Sequence, residues 1–360
     1  MASIQPNFQP TSRLPLLRRH SMGYHFVGDP NTGLTARWGS AAHLDPLQAP
    51  WPELVDISIS NRCSKGCDFC YRDSTPSGAL MSLEQYTFLL EQLTSPQWGP
   101  PFQVALGGGE PLEHPQLLDI LDVTHAKGII ANFTTNGEQL TAALAKQLSG
   151  KVSALALSAM GLSEFHPQRV TLLTQQGIRT NLHYILDEYT LSEAIAIAEG
   201  QYDDLLSGLS SIVFLTRKPQ GRSNADGILT FGSDRLTRFL DAVATHQSHL
   251  ALGFDACAVP LLLHHGQIDP QTVDACECGF FSVYVDEKLE VRPCSFANKG
   301  QYGWDLNQFS FAEIWTTKFA EYRKQQLSLT CSRTCVGKMH CRGKCPLFDE
   351  IAFCFVPTEK

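Results

Sequence analysis

The segment NRCSKGCDFCYRD, residues 61–73, puts Cys63, Cys67 and Cys70 on one short stretch of chain. Thiolates are soft ligands that suit zinc, copper or iron–sulfur clusters. A structural metal site closes its coordination with four ligands, whereas a catalytic one keeps a position open. Three thiolates on a four-iron cluster leave one iron without a protein ligand, free to take a small molecule. The chain has twelve cysteines, three at 63–70 and nine between 257 and 354. Scattered cysteines act as small buried hydrophobes; clusters this tight predict metal binding.

A second motif, ALGGGEPLEHP (105–115), sets a carboxylate beside glycines. Glycine lets the backbone approach a ligand closely, and a carboxylate can hold an ammonium group. A tight turn with a solvated Glu is the plain alternative. A third motif, CSRTCVGKMHCRGKC (331–345) followed by Cys354, spaces thiols as C-x3-C-x5-C-x3-C-x8-C. Alone it reads equally as a zinc knuckle. Upstream lie RPCSF (292–296), Cys276, Cys278 and GFDAC (253–257). In the last of these Asp255 is a candidate general base, with a solvated loop Asp as the alternative.

These residues need a scaffold, and the hydrophobic pattern supplies one. Strands are expected at 54–60, 102–108, 128–136, 152–160, 179–188 and 211–218. Helices fit 82–94, 115–127, 139–149, 163–176, 190–203 and 233–247. Six β-then-α units in series predict parallel strands with right-handed crossovers. The expected fold class is α/β: a partial (β/α)6 TIM-like barrel with a small cysteine-rich C-terminal extension. An open doubly wound sheet is its rival. In either, chemistry gathers at the C-terminal ends of the strands. The three cysteines follow the first strand, GGGE the second, TTNG the third and SAMG the fourth. Residues 1–20 read as a loose arm and 23–39 as two short strands around a turn. A hairpin turning near Asp286–Lys288 is expected over 279–294, and a helix over 309–327. The division expected is 1–50 for arm and hairpin, 51–260 for the barrel and 261–360 for the extension.

With 43% hydrophobic and 18% charged residues the chain is an ordinary globular protein. A formal charge of −8 and no basic block argue against nucleic acid as a partner. The first twenty residues lack the apolar run of a signal peptide, and no run of about 18 apolar residues predicts a membrane span. A cytoplasmic protein is expected.

On the three-cysteine loop and GGGE, roughly over residues 54–220, the chain resembles the radical S-adenosylmethionine enzymes. Their signature is C-x3-C-x-aromatic-C, and Phe69 fills the aromatic place. The resemblance implies a [4Fe–4S] cluster on Cys63, Cys67 and Cys70 whose open iron binds S-adenosylmethionine. One electron then cleaves that cofactor to methionine and a 5′-deoxyadenosyl radical, which abstracts hydrogen from an unactivated carbon. It implies that Gly108, Gly109 and Glu110 hold the methionyl amine. Ser158 matches the position that bonds the ribose, Asn136 faces the same mouth, and Phe69 packs by the adenine. For Asn136 and Ser158 a structural turn or cap is the alternative.

The C-terminal cysteines resemble the SPASM extension of radical enzymes that modify peptides, with one extra residue in the first gap. That resemblance implies two auxiliary [4Fe–4S] clusters, three clusters in all. Cys331, Cys335, Cys341 and Cys354 would hold the outer one. Cys294 and Cys345 belong to the inner one, completed from among Cys257, Cys276 and Cys278. The choice taken is Cys257 and Cys276. Cys278 is then spare, an inert thiol or a hydrogen-atom donor.

The function implied is a maturase that modifies a ribosomally made precursor peptide by crosslinking, backbone excision or epimerisation. Sulfatase-maturase-like protein oxidation, a small-molecule radical dehydrogenase and a zinc-stapled binding module are the rivals. The partners expected are the precursor peptide, a reductant such as ferredoxin or flavodoxin, and a separate small leader-peptide-binding protein.

Overall fold

The computed structural model describes residues 14–41, 44–265, 267–297, 300–327, 341–342, 345, 347–348 and 351. Two sheets organise it. The first is antiparallel, in the order β1 (Leu17–Ser21), β2 (Tyr24–Gly28), β3 (Thr35–Trp38). The second has ten strands in the order β10-β9-β8-β7-β6-β5-β4-β11-β12-β13.

Seven of the ten run parallel in chain order. They are β4 (Leu54–Ser60), β5 (Gln103–Gly108), β6 (Ile130–Thr135), β7 (Ala154–Ala159), β8 (Arg179–Leu186), β9 (Ser211–Thr216) and β10 (Ala251–Phe254). The intervening helices are α1 (Leu83–Leu93), α2 (Leu117–Ala126), α3 (Ala142–Leu148), α4 (Pro167–Thr174), α5 (Leu191–Ala198) and α6 (Asp234–Ala244). All six expected strand–helix pairs are present. Alternation along β4 explains how the layers separate. Val55, Ile57 and Ile59 are wholly buried in the helix-side core, and Leu54, Asp56, Ser58 and Ser60 share the opposite face. Ser82 starts α1 with a capping box closed by Gln85.

The barrel does not close. The free edge of β4 pairs in parallel with β11 (Ser282–Val285), not with β10. Then β12 (Glu290–Arg292) and β13 (Trp304–Asp305) continue the sheet antiparallel. The expected hairpin is thus β11–β12, and it belongs to the barrel's own sheet. Its turn ends at Leu289, held at φ +65°, a conformation that non-glycine residues seldom adopt. The expected C-terminal helix is present as α7 (Phe311–Glu313), a π-turn over Ile314–Lys318 and α8 (Phe319–Leu327).

Two features depart from expectation. A seventh parallel strand, β10, escapes periodicity because it is four residues long and contains Gly253. It is held by Phe254, which stacks on Phe214 with 5.5 Å between ring centroids. Residues 17–20 are not a loose arm but most of β1. Arg19 explains this: only 2% exposed, it donates to the carbonyls of Trp98 (3.0 Å), Trp51 (3.0 Å), Pro52 (2.9 Å) and Pro100. Charge-assisted bonds in a buried setting outweigh the guanidinium's desolvation only as a complete set. Among the described residues no helix is long and apolar enough to cross a membrane.

Replacing Arg19 with Met keeps apolar bulk but strands these carbonyls. Urea unfolding should show a loss of about 2–4 kcal/mol; a loss under about 1 kcal/mol would mean that Arg19 does not pin β1.

Candidate active site

The three-cysteine loop leaves the C-terminal end of β4. Its backbone is tied by Asn61 N to Ala79 O (2.7 Å), Cys63 N to Thr75 O (3.0 Å) and Cys70 N to Cys67 O (3.2 Å). Gly66 turns the loop at φ +69°. Arg222, on the chain after β9, grips it from the barrel side: its Nε donates to Cys67 O and its backbone N to Cys70 O, both 3.0 Å. Cys63, Cys67 and Cys70 are all half-buried and none is in a disulfide; Cys70 Sγ accepts from Ser74 N (3.5 Å). Burial pushes the Cys63 and Cys67 thiols up, and the neighbouring Cys63 and Cys70 sulfurs add to the cost at Cys67. Three soft donors on one short loop fit a cationic iron–sulfur group, whose charge deprotonates coordinating thiols.

The end of β5 lies against this loop. Gly109 N donates to Ser60 O (2.5 Å) and Glu110 N to Arg62 O (2.7 Å). Gly108 stands at φ +102°, where a Cβ would collide with Ser58 Oγ and the Ser60 carbonyl; one on Gly109 would collide with the Arg62 backbone. Both glycines are therefore required by strand-end packing, whatever binds beside them.

Glu110 is 2% exposed. One carboxylate oxygen accepts from Leu112 N (3.0 Å) and Thr135 Oγ1 (2.5 Å), the other from Asn136 N (2.8 Å). Burial raises its pKa, and those three bonds oppose the rise. A carboxylate fixed from three sides, close enough for its charge to disfavour ionisation of Cys63, can receive a cationic group at the loop. Thr135 was not legible as part of the site; its signal is only its place next to Asn136.

The remaining predicted contacts divide. Asn136 caps its own turn, its side-chain oxygen accepting from Glu138 N (2.8 Å). Ser158 lies on β7 opposite His183 of β8 and is half-buried. Phe69 is half-buried on the loop.

Behind the loop is a cavity of about 240 Å³. Five thiols line it, Cys257, Cys276, Cys278, Cys294 and Cys345, together with Asp56, Lys218, Asp255, Tyr284 and Phe296. Cys278 sits between Cys276 and Cys294, within bonding reach of both; its thiol is raised while Cys276 falls to about 7. Burial pushes Cys257 well up and Cys345 up to about 11. Five thiols, none in a disulfide and all facing one space, fit a polynuclear cluster with one thiol to spare. Cys331, Cys335 and Cys354 lie outside the described residues, so the expected outer ligand set, with Cys341, is not described.

Asp255 is not a solvated loop residue. Its carboxylate accepts from Thr216 N (3.1 Å) and Thr216 Oγ1 (2.9 Å) and pairs with the buried Lys218. Two groups that local pattern reading missed stand on the inner face of the sheet. Asp56 faces the cavity from β4, and no hydrogen-bond donor among the described residues reaches it. Burial pushes its carboxyl up to about 7, with Arg72 the opposing charge. Arg72 pairs with Glu287 at 2.7 Å.

An open, mostly parallel sheet with a three-thiol loop, a fixed carboxylate and a second thiol-lined cavity defines an α/β scaffold with soft donors gathered at and beside its strand ends. Residues 57–193, the segment with the three-cysteine loop and Glu110, match the family described as the Radical SAM superfamily, so this part of the chain is a radical SAM domain. No curated protein shows significant sequence similarity to the chain. Among solved structures, Streptococcus suis SuiB bound to precursor peptide SuiA is similar at 12% identity, over 92% of this chain and 94% of that one, with a TM-score of 0.68. Native anSMEcpe with bound AdoMet and Cp18Cys peptide is similar at 16% identity, over 82% and 89%, with a TM-score of 0.60. These likenesses show a shared fold.

The raised carboxyl of Asp56 has a consequence for stability. Its folded pKa exceeds the unfolded one, so its stabilising contribution is complete below about pH 4 and is lost as pH rises through about 7. In the cluster-free protein Asp56→Asn should therefore gain on wild type as pH rises, by about 2–4 kcal/mol at pH 8 relative to pH 4.5. Denaturant unfolding at the two pH values measures it; a gap that does not change with pH would show that Asp56 stays ionised.

Proposed function

We propose that the chain is a maturase that abstracts hydrogen from a ribosomally made precursor peptide and installs an oxidative crosslink, an excision or an epimerised centre. The observation that carries this is the pairing of a three-thiol loop with a five-thiol cavity across one sheet. A hydrogen-abstracting site and a separate electron acceptor on one sheet suit a substrate that first loses hydrogen and then, for a crosslink, an electron. The fold shared with SuiB, solved with its precursor peptide SuiA, and with anSMEcpe, solved with a peptide, supports a peptide substrate.

In this reading Cys63, Cys67 and Cys70 hold the cluster that binds S-adenosylmethionine. When bound, these groups supply the one-electron chemistry that removes hydrogen from an unactivated carbon. Glu110 receives the methionyl ammonium, and Thr135 and Asn136 N aim its two oxygens. Gly108 and Gly109 bring it to the loop, and Ser158, Asn136 and Phe69 line the cofactor's ribose and adenine end. Four of the thiols Cys257, Cys276, Cys278, Cys294 and Cys345 hold an inner auxiliary cluster. Cys331, Cys335, Cys341 and Cys354 hold an outer one. Lys218, fixed by Asp255, sets a positive charge at the rim of the inner cavity. Asp255 is the general base in this reading, and it takes a substrate proton only once Lys218 and Thr216 release its carboxylate. We infer a radical domain over 51–260 and a cluster extension over 261–360. A reductant such as ferredoxin or flavodoxin would deliver the electrons, and a separate small protein the leader peptide.

The deciding experiment is anaerobic incubation of the reconstituted enzyme with a precursor peptide encoded beside its gene, followed by mass spectrometry. A mass change that depends on S-adenosylmethionine supports the reading. Cofactor cleavage with no peptide change across all neighbouring precursors would turn it down.

Two measurements test the ligand assignment. Reconstituted protein should carry about twelve irons per chain, and changing Cys63, Cys67 and Cys70 together to Ala should leave about two-thirds of them while abolishing cofactor cleavage. Colourless, zinc-loaded protein from anaerobic reconstitution would overturn the cluster reading. Separately, Glu110→Gln keeps shape but removes charge, so S-adenosylmethionine affinity should fall about 10- to 100-fold with the cluster intact. Unchanged affinity by calorimetry would free Glu110 of that role.

A further inference from the structure

Two residues directly after Cys70 reach the same hairpin at two separate points. Arg72 Nη2 pairs with Glu287 Oε2 at 2.7 Å, and neither side chain is more than 7% exposed. Glu287 sits in the β11–β12 turn and also accepts from Ser58 Oγ of β4 (3.0 Å). The Arg72 guanidinium lies 5.5 Å from the Tyr284 ring on β11. Tyr71, its neighbour, packs its ring against Phe296 with 4.6 Å between centroids. Ser295 and Phe296 follow Cys294, one of the five thiols of the cavity. The hairpin is thereby clamped at its turn and just past its second strand by consecutive residues of the radical-site loop.

A buried ion pair is a costly way to join two segments. Its gain over an apolar contact is direction: a guanidinium and a carboxylate meet in few geometries. An aromatic pair beside it fixes rotation about the join. Arg222 holds the other side of the loop to the barrel, so the loop's free motion is set by whether the hairpin side is in register.

We propose that Tyr71 and Arg72 are positioning residues that seat the three-cysteine loop on the β11–β12 hairpin, making the radical site's geometry depend on the segment that carries Cys294. The inference rests on the reading above that Cys63, Cys67 and Cys70 hold the cluster that binds S-adenosylmethionine. It couples two sites that the chain separates by more than two hundred residues. Filling the cavity around Cys294 and shaping the loop at Cys70 become one event.

The test uses the full-length reconstituted enzyme without peptide. Glu287→Gln keeps the side chain's shape and removes its charge; Phe296→Leu keeps apolar bulk and removes the ring. Each should retain its iron, shift the electron paramagnetic resonance signal of the reduced cofactor-binding cluster, and weaken S-adenosylmethionine binding by about tenfold. Glu287→Asp should recover part of both. Cys294→Ala should weaken binding in the wild-type background but add little in the Glu287→Gln/Phe296→Leu background, the signature of one shared path. Unchanged affinity and spectrum in both single variants would overturn the proposal, as would an effect of Cys294→Ala that adds in full to theirs. If Glu287→Gln fails to fold, Phe296→Leu decides alone. Wild-type protein that binds no S-adenosylmethionine would overturn both this proposal and the reading beneath it.

Discussion

Everything at the candidate site depends on one close approach of backbone to backbone. The ends of β4 and β5 are drawn together by Gly109 N on Ser60 O and Glu110 N on Arg62 O. No side chain larger than hydrogen fits at either glycine. That contact does two things at once. It sets the point from which the three-cysteine loop departs, and it aims Glu110 at the same point. A methyl group at Gly108 would have to push apart β4 and β5, the first two strands of the barrel sheet. So the glycines that pattern reading assigned to a ligand are first a condition of the fold, and the ligand's geometry follows from it.

Much of this was legible because it is local. Strand and helix periods in the sequence match six β-then-α pairs, since each alternation is written within ten residues or so. The cysteine spacing and GGGE stand in contiguous motifs placed at strand ends, where parallel α/β sheets gather chemistry. What stayed hidden is long-range. Arg72 meets Glu287 across 215 positions, and Ser58 meets Glu287 across 229. Nothing near Arg72 announces that its charge will be buried and paired. Arg19 likewise looks like part of a basic, solvated arm until the carbonyls of four distant residues surround it. Strand β10 is invisible to period counting because four residues hold too few alternations, and its anchor is the tertiary stack of Phe254 on Phe214.

The extension was legible as a separate cysteine-rich segment, and its attachment was not. The pairing of β11 with β4 makes it a continuation of the barrel sheet. Sheet continuity is stiffer than a loop linkage, because the register from Ser282–Leu54 to Val285–Ile57 fixes strand β11 in all directions. The open edge that a partial barrel would otherwise present at β4 is covered by this strand, which also removes an aggregation-prone edge.

The interior face of that junction is electrostatically incomplete, and this bears on what must fill it. Among the described residues, no hydrogen-bond donor reaches Asp56, and the buried Tyr284 hydroxyl and Arg72 Nε have no hydrogen-bond partner. Around them five thiols face one cavity; burial raises Cys257 and Cys345, and hydrogen bonds to Cys276 and Cys294 raise Cys278. An apolar filling would leave every one of these groups desolvated and unmet, at a cost of about 1–3 kcal/mol for each neutral group and more for a charged one. Water could bond the hydroxyl and the carboxyl but would not draw protons from the thiols. A cationic metal group does both, since its charge lowers thiol proton affinity and stabilises a nearby carboxylate. The fixed ammonium of Lys218 at the rim, paired to Asp255, supplies only one such charge and is already matched. The cavity's chemistry therefore calls for a multiply charged, sulfur-seeking occupant. On the proposed reading, that occupant is the inner auxiliary cluster, and the five-thiol cavity is its site and not a fault in the packing of the extension.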